Sequence, residues 1–156
     1  MVLEKLRKYQ DENKVEYLVI SHSPAYTAHN IAESAHIKGQ NIAKTVMVVA
    51  EGKMVMAVLP ANDKVDFELL QDALGVVNVW LPDEKEFKDK FPNCETGAMP
   101  PFGNLYDMDV YVSEHLTGDH LIAFNAGSHT ELIQMQYADF ERLVQPKVLD
   151  FTVVAI

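Results

Sequence analysis

Hydrophobic residues recur along the chain with helical and strand periods, and the elements that they predict follow one another without linkers. Leu3 and Leu6 lie on one face of a predicted amphipathic helix, and residues 15–21 (VEYLVIS) predict the first strand. Thr27 is placed to cap a second helix, which would end at Gly39. The N-terminal part of the chain is therefore predicted as helix, strand and helix in that order.

The strongest local signal is a hairpin of two apolar strands at 45–50 and 54–59, joined by the turn EGK. Turns this short join antiparallel strands, which disfavours a fully parallel sheet. The pattern predicts an α+β fold, in which helices pack against a mixed, mainly antiparallel, curled sheet, as a single domain over residues 1–156. The other predicted elements are helices at 66–74 (ending at Gly75), 83–91 and 137–144, strands at 76–80, 109–113 and 120–126, and extended stretches at 128–135 and 148–155.

Composition narrows the class of protein. Apolar residues make up 48% of the chain and charged residues 23%, as in an ordinary globular domain. The 13 basic and 23 acidic residues give a net charge of −10, which disfavours nonspecific binding along a nucleic acid but not a local basic pocket at one end of it. The single cysteine, the charged N-terminus and the absence of a long apolar run predict a cytoplasmic protein.

Familiar catalytic and metal-binding motifs are absent. The sequence contains no phosphate loop, no dinucleotide-binding fingerprint, no nucleophile elbow and no zinc-protease motif. The spacings of His29 from His36, and of His115 from His120, match no tight metal-ligand pattern, so we predict neither a metal nor a cofactor. Nothing in the sequence pairs Cys94 with a base, and we interpret it as a small buried residue.

In two short stretches, the predicted local structure does not account for the residues that occur there. Lys44 opens the hairpin among apolar residues, where it either reaches out to water or presents one positive charge at the edge of a pocket. The stretch 94–107 (CETGAMPPFGNLYD) holds two adjacent prolines between Gly97 and Gly103, which predicts a stiff loop that turns at its glycines. Its amides either bind a ligand oxygen, or the loop is purely structural.

A third stretch, FNAGSHTE at 124–131, has the same ambiguity. Gly127 follows an apolar strand and precedes Ser128 and His129, whose side chains donate, accept or titrate. The alternative interpretation is an ordinary bulge between two strands.

Taken together, AKTV at 43–46, GAMPPFG at 97–103 and FNAGSH at 124–129 resemble, in their order and spacing, the YbaK-type family. This family is also called the prolyl-tRNA-synthetase-associated editing domain and includes freestanding aminoacyl-tRNA deacylases. The resemblance extends from HSPAYTA near residue 22 to DFERLVQP near residue 146. It implies an α+β domain that hydrolyses the ester between a wrong, small amino acid and the 3′ end of a tRNA, without a metal or an organic cofactor.

The resemblance also implies roles for individual residues. Lys44 would contact the 3′-terminal nucleotide and its ester, and the amides of residues 97–101 would place the aminoacyl group and support the developing oxyanion. Gly127 and His129 would form the pocket wall, and the terminal hydroxyl of the tRNA would help to hold the attacking water. The implied catalytic residues are Lys44, Gly97 and His129, and the candidate substrate-binding residues are His22, Tyr26, Thr27, Ala98, Met99, Pro100, Pro101, Phe102, Gly127 and Ser128.

Alternatives remain open at this point. For His22, Tyr26, Met99 and Phe102, the alternative to lining the pocket is ordinary core packing. The implied partners are the 3′ end of a mischarged tRNA and, as a further candidate, an aminoacyl-tRNA synthetase, with neither membrane nor DNA. Because the chain is acidic and has no basic tail, tRNA contact would be confined to the terminal nucleotides or aided by a partner. Two other functions fit the sequence, a binding module without turnover and a hydrolase of small esters unrelated to tRNA.

Overall fold

The computed structural model describes residues 3–23, 35 and 37–155. Thr27 and most of the predicted second helix lie outside the described residues. The helices are α1 (Glu4–Glu12), α2 (Phe67–Leu74), α3 (Glu84–Phe87) and α4 (Tyr137–Val144). The strands are β1 (Tyr17–Ser21), β2 (Ala43–Ala50), β3 (Lys53–Pro60), β4 (Asp63–Val65), β5 (Val79–Trp80), β6 (Val110–Ser113), β7 (Leu121–Asn125), β8 (Glu131–Gln136), β9 (Lys147–Leu149) and β10 (Thr152–Val154).

The described strands form three sheets. The largest has the order β5-β2-β3-β6-β9, in which β2 pairs antiparallel with β3 and β5, while β6 runs parallel to β3 and β9. The other two sheets, β1-β8-β7 and β10-β4, are antiparallel. A parallel bridge between Ile42 and Ala123 joins the five-stranded sheet to the β1-β8-β7 sheet. The predicted α+β class and the mixed, mainly antiparallel pairing are confirmed.

The local predictions for the hairpin and for α2 are confirmed. β2 begins two residues before its predicted start, and β3 extends one residue beyond its predicted bounds at each end. Before α2, the Asp66 carboxylate accepts a hydrogen bond from the amide of Leu69 at 3.0 Å, and Gly75 ends the helix with φ of 67°. The predicted strand at 76–80 is only two residues long, and the predicted helix at 83–91 is α3 followed by a short 3-10 turn at Lys88–Lys90.

Apolar side chains cover both faces of the hairpin. On one face, Met47 and Met56 belong to the main core, which also holds Phe102, Phe124 and Phe140. On the other face, Val48 and Val55 pack against Leu70 of α2 and against Phe151. Strands buried on both faces have nearly continuous apolar sequences, which explains the run KTVMVVA. A third, smaller cluster consists of Ile42, Ala123 and Leu132, with Ile20, Ala35, Ile37 and Ala61 packed against it.

Among the described residues, no helix is both long enough and apolar enough to cross a membrane.

Candidate functional site

Backbone hydrogen bonds join the glycine–proline loop to the segment that follows β7. The amide of Glu95 donates to the carbonyl of Gly127 at 2.9 Å, and the amide of Gly127 donates to the carbonyl of Ala98 at 3.0 Å. A third bond closes the loop on itself, from the amide of Ala98 to the carbonyl of Glu95 at 3.0 Å. Two of the three stretches singled out in the sequence therefore meet directly.

The backbone at this junction requires glycine at two positions. Gly97 has φ of 87° and Gly127 has φ of 101°, in the left-handed region that side chains rarely adopt. A Cβ at Gly97 would lie 3.5 Å from His129 Cε1, and one at Gly127 would lie 3.1 Å from the Cβ of Leu3. Gly97 and Gly127 thus allow the loop, the following segment and the N-terminus to approach each other closely.

Gly103 lies where the backbone packs closely against itself. A Cβ at Gly103 would lie 2.6 Å from the carbonyl oxygen of Met108, which is too close for any side chain. The close approach at Gly103 is therefore made by the chain's own backbone and not by a ligand.

His129 links the two segments through its backbone and its ring. Its amide donates to Glu95 Oε2 at 3.2 Å, and its Nε2 lies 2.8 Å from the carbonyl oxygen of Thr96. A carbonyl oxygen only accepts, so Nε2 carries the hydrogen of this bond. The residue is only 6% exposed. This geometry places the imidazole where it holds the backbone immediately before Gly97.

The proline-rich half of the loop is buried. Phe102 is fully buried and its ring centroid lies 5.5 Å from that of Phe124 and 5.8 Å from that of Phe140. Met99 is 5% exposed, and its sulfur lies 3.3 Å from the amide nitrogen of Gly97. Phe102 therefore packs among the core rings, whereas Met99 is buried with its sulfur against the exposed end of the loop. Buried neighbours in the same half are Ala98, Pro100 and Pro101, so before Gly103 the exposed residues of the loop are 95–97.

Lys44 lies on β2 opposite Leu59 and is half-buried. Its ammonium donates a long hydrogen bond of 3.4 Å to the carbonyl of Ala61. Burial lowers the pKa of Lys44 from its ordinary value, and the nearby carboxylate of Asp63 acts in the opposite direction. The side chain is thus a half-buried cation near the start of β2, with donors left for a ligand.

The bridge between β2 and β7 connects Lys44 to the loop. The parallel bridge pairs Ile42, two residues before Lys44, with Ala123, two residues before Asn125. Asn125 is the last residue of β7, two positions before Gly127. The stretch that contains Lys44 is therefore joined to the other two through β7.

Asn125 also presents an unused acceptor. Its Oδ1 is buried and has no hydrogen-bond partner among the described residues. On the same face lies Leu132, directly opposite Asn125, and next to it Ile20. A buried acceptor without a partner costs about 1–3 kcal/mol, so this position suits a ligand that donates a hydrogen bond. The small apolar cluster beside it suits a short aliphatic side chain.

The other predicted binding residues have mixed placements. His22 is brought to the same end of the sheet, because its amide donates to the carbonyl of Thr130 at 2.8 Å. His22 Nδ1 lies 2.7 Å from the carbonyl of Ser23, and its buried Nε2 has no partner in the described part of the chain. Ser128 is buried, with its hydroxyl 3.4 Å from that of Thr130. Tyr26 and Thr27 lie outside the described residues.

Alternative chemistries find little support around this site. Burial raises the pKa of the Cys94 thiol, and its sulfur lies 3.8 Å from the hydroxyl of Tyr106. A raised thiol pKa does not favour a nucleophile. Within 3–23 and 37–155, no three His, Cys, Asp or Glu side chains gather as metal ligands would, while His29 and His36 lie outside these ranges.

Three residues at or near the site were missed by reasoning from the sequence. Glu95 and Asn125 lie inside the quoted stretches, but nothing local showed that Glu95 binds the His129 amide or that the Asn125 oxygen is buried without a partner among the described residues. Asp63 carries no motif, and only the folded chain places it near Lys44.

Comparison with known proteins gives the same picture. The Prolyl-tRNA editing protein ProX of Acetoanaerobium sticklandii is 28% identical over 144 residues, covering 86% of this chain and 85% of that protein. The Multifunctional Ser/Thr-tRNA deacylase ProXp-y of Escherichia coli strain K12 is 25% identical over 157 residues, covering 95% and 91%. Both alignments therefore extend over most of each protein.

Solved structures share the fold. A candidate trans-editing enzyme for prolyl tRNA synthetase superposes with a TM-score of 0.79 at 17% identity, over 98% of this chain and 99% of that one. The hypothetical protein APE2540 superposes with a TM-score of 0.84 at 16% identity, over 96% and 100%. Residues 22–143 match the aminoacyl-tRNA editing domain, a span that contains Lys44, the loop and His129. The chain therefore belongs to the aminoacyl-tRNA editing domain family.

Proposed function

We propose that this protein is a trans-editing deacylase, which hydrolyses the ester between a mischarged small amino acid and the 3′ end of its tRNA. The observation that carries the proposal is the hydrogen-bonded junction between residues 95–98 and 127–129, with Lys44 connected to it through β7. An aminoacyl ester is already activated, so rigidly held donors around it suffice for hydrolysis. The names of the two sequence relatives, an editing protein and a deacylase, support the same chemistry.

In this proposal, two donors act on the ester. Lys44 contacts the terminal nucleotide and the ester, where its positive charge stabilises the developing oxyanion. The amide of Gly97 now points at the sulfur of Met99, a weak acceptor, and an ester oxygen replaces that sulfur at little cost. His129 holds the backbone before Gly97 in place. It acts on the substrate through the loop and not by direct proton transfer.

The face that carries Asn125 receives the aminoacyl group. The α-ammonium of the substrate donates to Asn125 Oδ1, and His22 lies at the same end of the sheet. The small side chain packs against Ile20 and Leu132, so pocket size sets the upper limit on the amino acid. Of the other predicted residues, Ala98, Pro100, Pro101, Gly127 and Ser128 support the shape of the loop and its neighbour, and Tyr26 and Thr27 stay predictions.

The rest of the proposal follows from the chemistry of the substrate. The terminal hydroxyl of the tRNA helps to position the attacking water, so neither a metal nor a protein nucleophile takes part. Net charge −10 confines tRNA contact to the terminal nucleotides or to a complex with a synthetase. The protein acts in the cytoplasm, where its charged tRNA substrates are made.

The test is release of labelled amino acid from a panel of mischarged tRNAs, beginning with alanyl- and seryl-tRNAs. We expect release that persists with a chelator present and falls by about 100-fold or more in Lys44→Ala. Lys90→Ala, which removes the same charge from an exposed position remote in sequence, is the matched control and should keep wild-type activity.

Three results would contradict the proposal. Loss of activity in the presence of a chelator would show that the activity requires a metal. Faster hydrolysis of free aminoacyl esters than of charged tRNA would favour a hydrolase of small esters. Binding of charged tRNA by a folded protein, without release from any member of the panel, would favour a binding module.

A further inference from the structure

A cleft of about 850 Å³ lies between the first turns of α1 and the chain just before the glycine–proline loop. Three residues of its wall, Glu95, Gly127 and Ser128, belong to the hydrogen-bonded junction described above. Binding sites for small molecules have volumes of about 300–1,000 Å³, so the cleft has room for a nucleotide. The cleft therefore adjoins the part of the protein that we propose to hold the ester.

Helix α1 supplies another part of the cleft wall, and it is fixed to the junction. The amide of Leu3 donates to the carbonyl of Ala126 at 2.9 Å, and Leu3 and Leu6 are buried in the main core. Lys5 and Lys8 are exposed and line the cleft. Residues three apart in a helix are neighbours on its surface, so the two lysines form one basic strip on this wall.

Both lysines keep donors free for a ligand. Lys5 Nζ donates to the carbonyl of Leu105 at 2.6 Å and lies 4.8 Å from the centroid of the Tyr106 ring. These contacts hold the ammonium at the cleft and leave its other hydrogens available. Lys8 forms no hydrogen bond and no ion pair with any residue that the structure describes.

Two carboxylates, of Glu4 and Glu95, also line the cleft, and neither pairs with a lysine of α1 in the described part of the chain. Glu95 Oε2 accepts from the amide of His129 at 3.2 Å. Glu4 lies in the first turn of α1, where the free amides of the helix stabilise a negative charge. In a chain of net charge −10, two ammonium groups without a carboxylate partner in one cleft point to an anionic ligand.

We propose that the cleft binds the single-stranded 3′ end of the tRNA, with the phosphates next to the terminal nucleotide at Lys5 and Lys8. The inference rests on the proposed function, since it places the rest of the substrate while the ester lies at Gly97 and Lys44. The nucleotides before the ester each carry a phosphate and must leave the site along the protein surface. The cleft shares Glu95 with the exposed end of the loop and offers the cations that phosphate binds.

The test compares substrates with and without these phosphates. Aminoacyl-adenosine contains only the ester and the terminal nucleoside, whereas the aminoacylated trinucleotide CCA adds the phosphates that would reach the lysines. Lys5→Gln with Lys8→Gln removes both charges but keeps the helix propensity and a donor for the carbonyl of Leu105. Lys64→Gln with Lys147→Gln, at exposed positions outside the cleft wall, removes the same charge and is the matched control.

In the cleft variant, we expect KM for aminoacyl-CCA to rise about 10-fold with kcat unchanged, because a contact made equally in the ground state and the transition state is lost. The dependence of log kcat/KM on log salt concentration should become less steep by about 0.7 for each phosphate contact removed. Hydrolysis of aminoacyl-adenosine should stay at the wild-type rate. The control variant should match the wild type on every substrate.

Two kinetic results would overturn the inference. An equal loss of activity on aminoacyl-adenosine would show that the lysines serve only the structure of the protein. A loss on full-length tRNA but not on aminoacyl-CCA would show that they contact another part of the tRNA. If the double variant does not fold, Lys8→Gln alone gives the same comparison, because Lys8 has no contact to lose among the described residues.

Binding of uncharged CCA keeps the inference separable from the proposed function. In the isotope-labelled wild type, CCA should shift the amide NMR signals of α1 and of residues 92–95, and the cleft variant should lose these shifts. If the shifts occur but the wild type deacylates no mischarged tRNA, the binding site is supported and the proposed function is refuted. If the wild type deacylates tRNA and CCA causes no shifts at the cleft, the inference is refuted and the proposed function stands.

Discussion

Replacing Gly97 with alanine separates the shape of the loop from the stability of the fold. With φ of 87°, Gly97→Ala places a side chain in the left-handed region, which costs about 1–2 kcal/mol of unfolding free energy. The new Cβ would lie 3.5 Å from His129 Cε1, which is ordinary contact and adds little strain of its own. Relaxation of the backbone would move the Gly97 amide away from its present direction.

The expected result is a modest loss of stability with a large loss of activity. A displacement of about 1 Å at a reacting centre lowers the rate roughly 100-fold, so we expect that loss in kcat/KM for a mischarged tRNA. Urea unfolding measures stability, and release of labelled amino acid measures activity. Both are measured below the unfolding transition, so that the folded fraction is the same.

Gly52→Ala is the matched control. Gly52 has φ of 79° in the hairpin turn, and a Cβ there would meet nothing within 4 Å. The two variants should therefore lose similar unfolding free energy, and Gly52→Ala should keep its activity. Equal activity in the two variants would refute the assignment of the loop to the site. So would a fully active Gly97→Ala.

Other substitutions test the remaining parts of the argument. Asn125→Ala should lower kcat/KM for aminoacyl esters with little loss of stability in urea, because it removes an acceptor without a partner among the described residues; a stability loss alone would contradict its role. Phe102→Ala should lower the unfolding free energy by about 3–5 kcal/mol, because the ring is fully buried, and a smaller cost would dispute its place in the core. The hydrogen bond with Asp63 raises the pKa of His115, so the stability that it contributes is full below pH ~6.5 and is lost as pH rises through the folded-state pKa. Urea unfolding across this range should show that loss in the wild type and not in His115→Gln.

Local sequence was sufficient to predict several secondary-structure elements. The hairpin, the helix α2 and its end at Gly75 depend on neighbouring residues, so they were predicted correctly. Gly97 in the loop and Gly127 after β7 indicated backbone with positive φ, because few other residues adopt it. The order and spacing of three short stretches then indicated the family.

Packing decided what those local signals left open. The sequence showed Phe102 as an apolar residue in a loop, but only the surrounding core rings show that it is buried away from the site. The predicted strand at 76–80 and helix at 83–91 shortened, because tertiary contacts and not propensity set where such elements end.

The site itself depends on contacts between residues distant in sequence. The bridge between Ile42 and Ala123 joins the start of β2 to β7, and Asp63 meets His115 and Thr152 only in the folded chain. Local propensity extends over only a few residues, and the pairing of distant strands is set by the burial of the whole core. The sequence by itself therefore determined which residues carry the chemistry and what backbone they need. Only the tertiary structure decided which of them meet, because that depends on how the sheets close around the core.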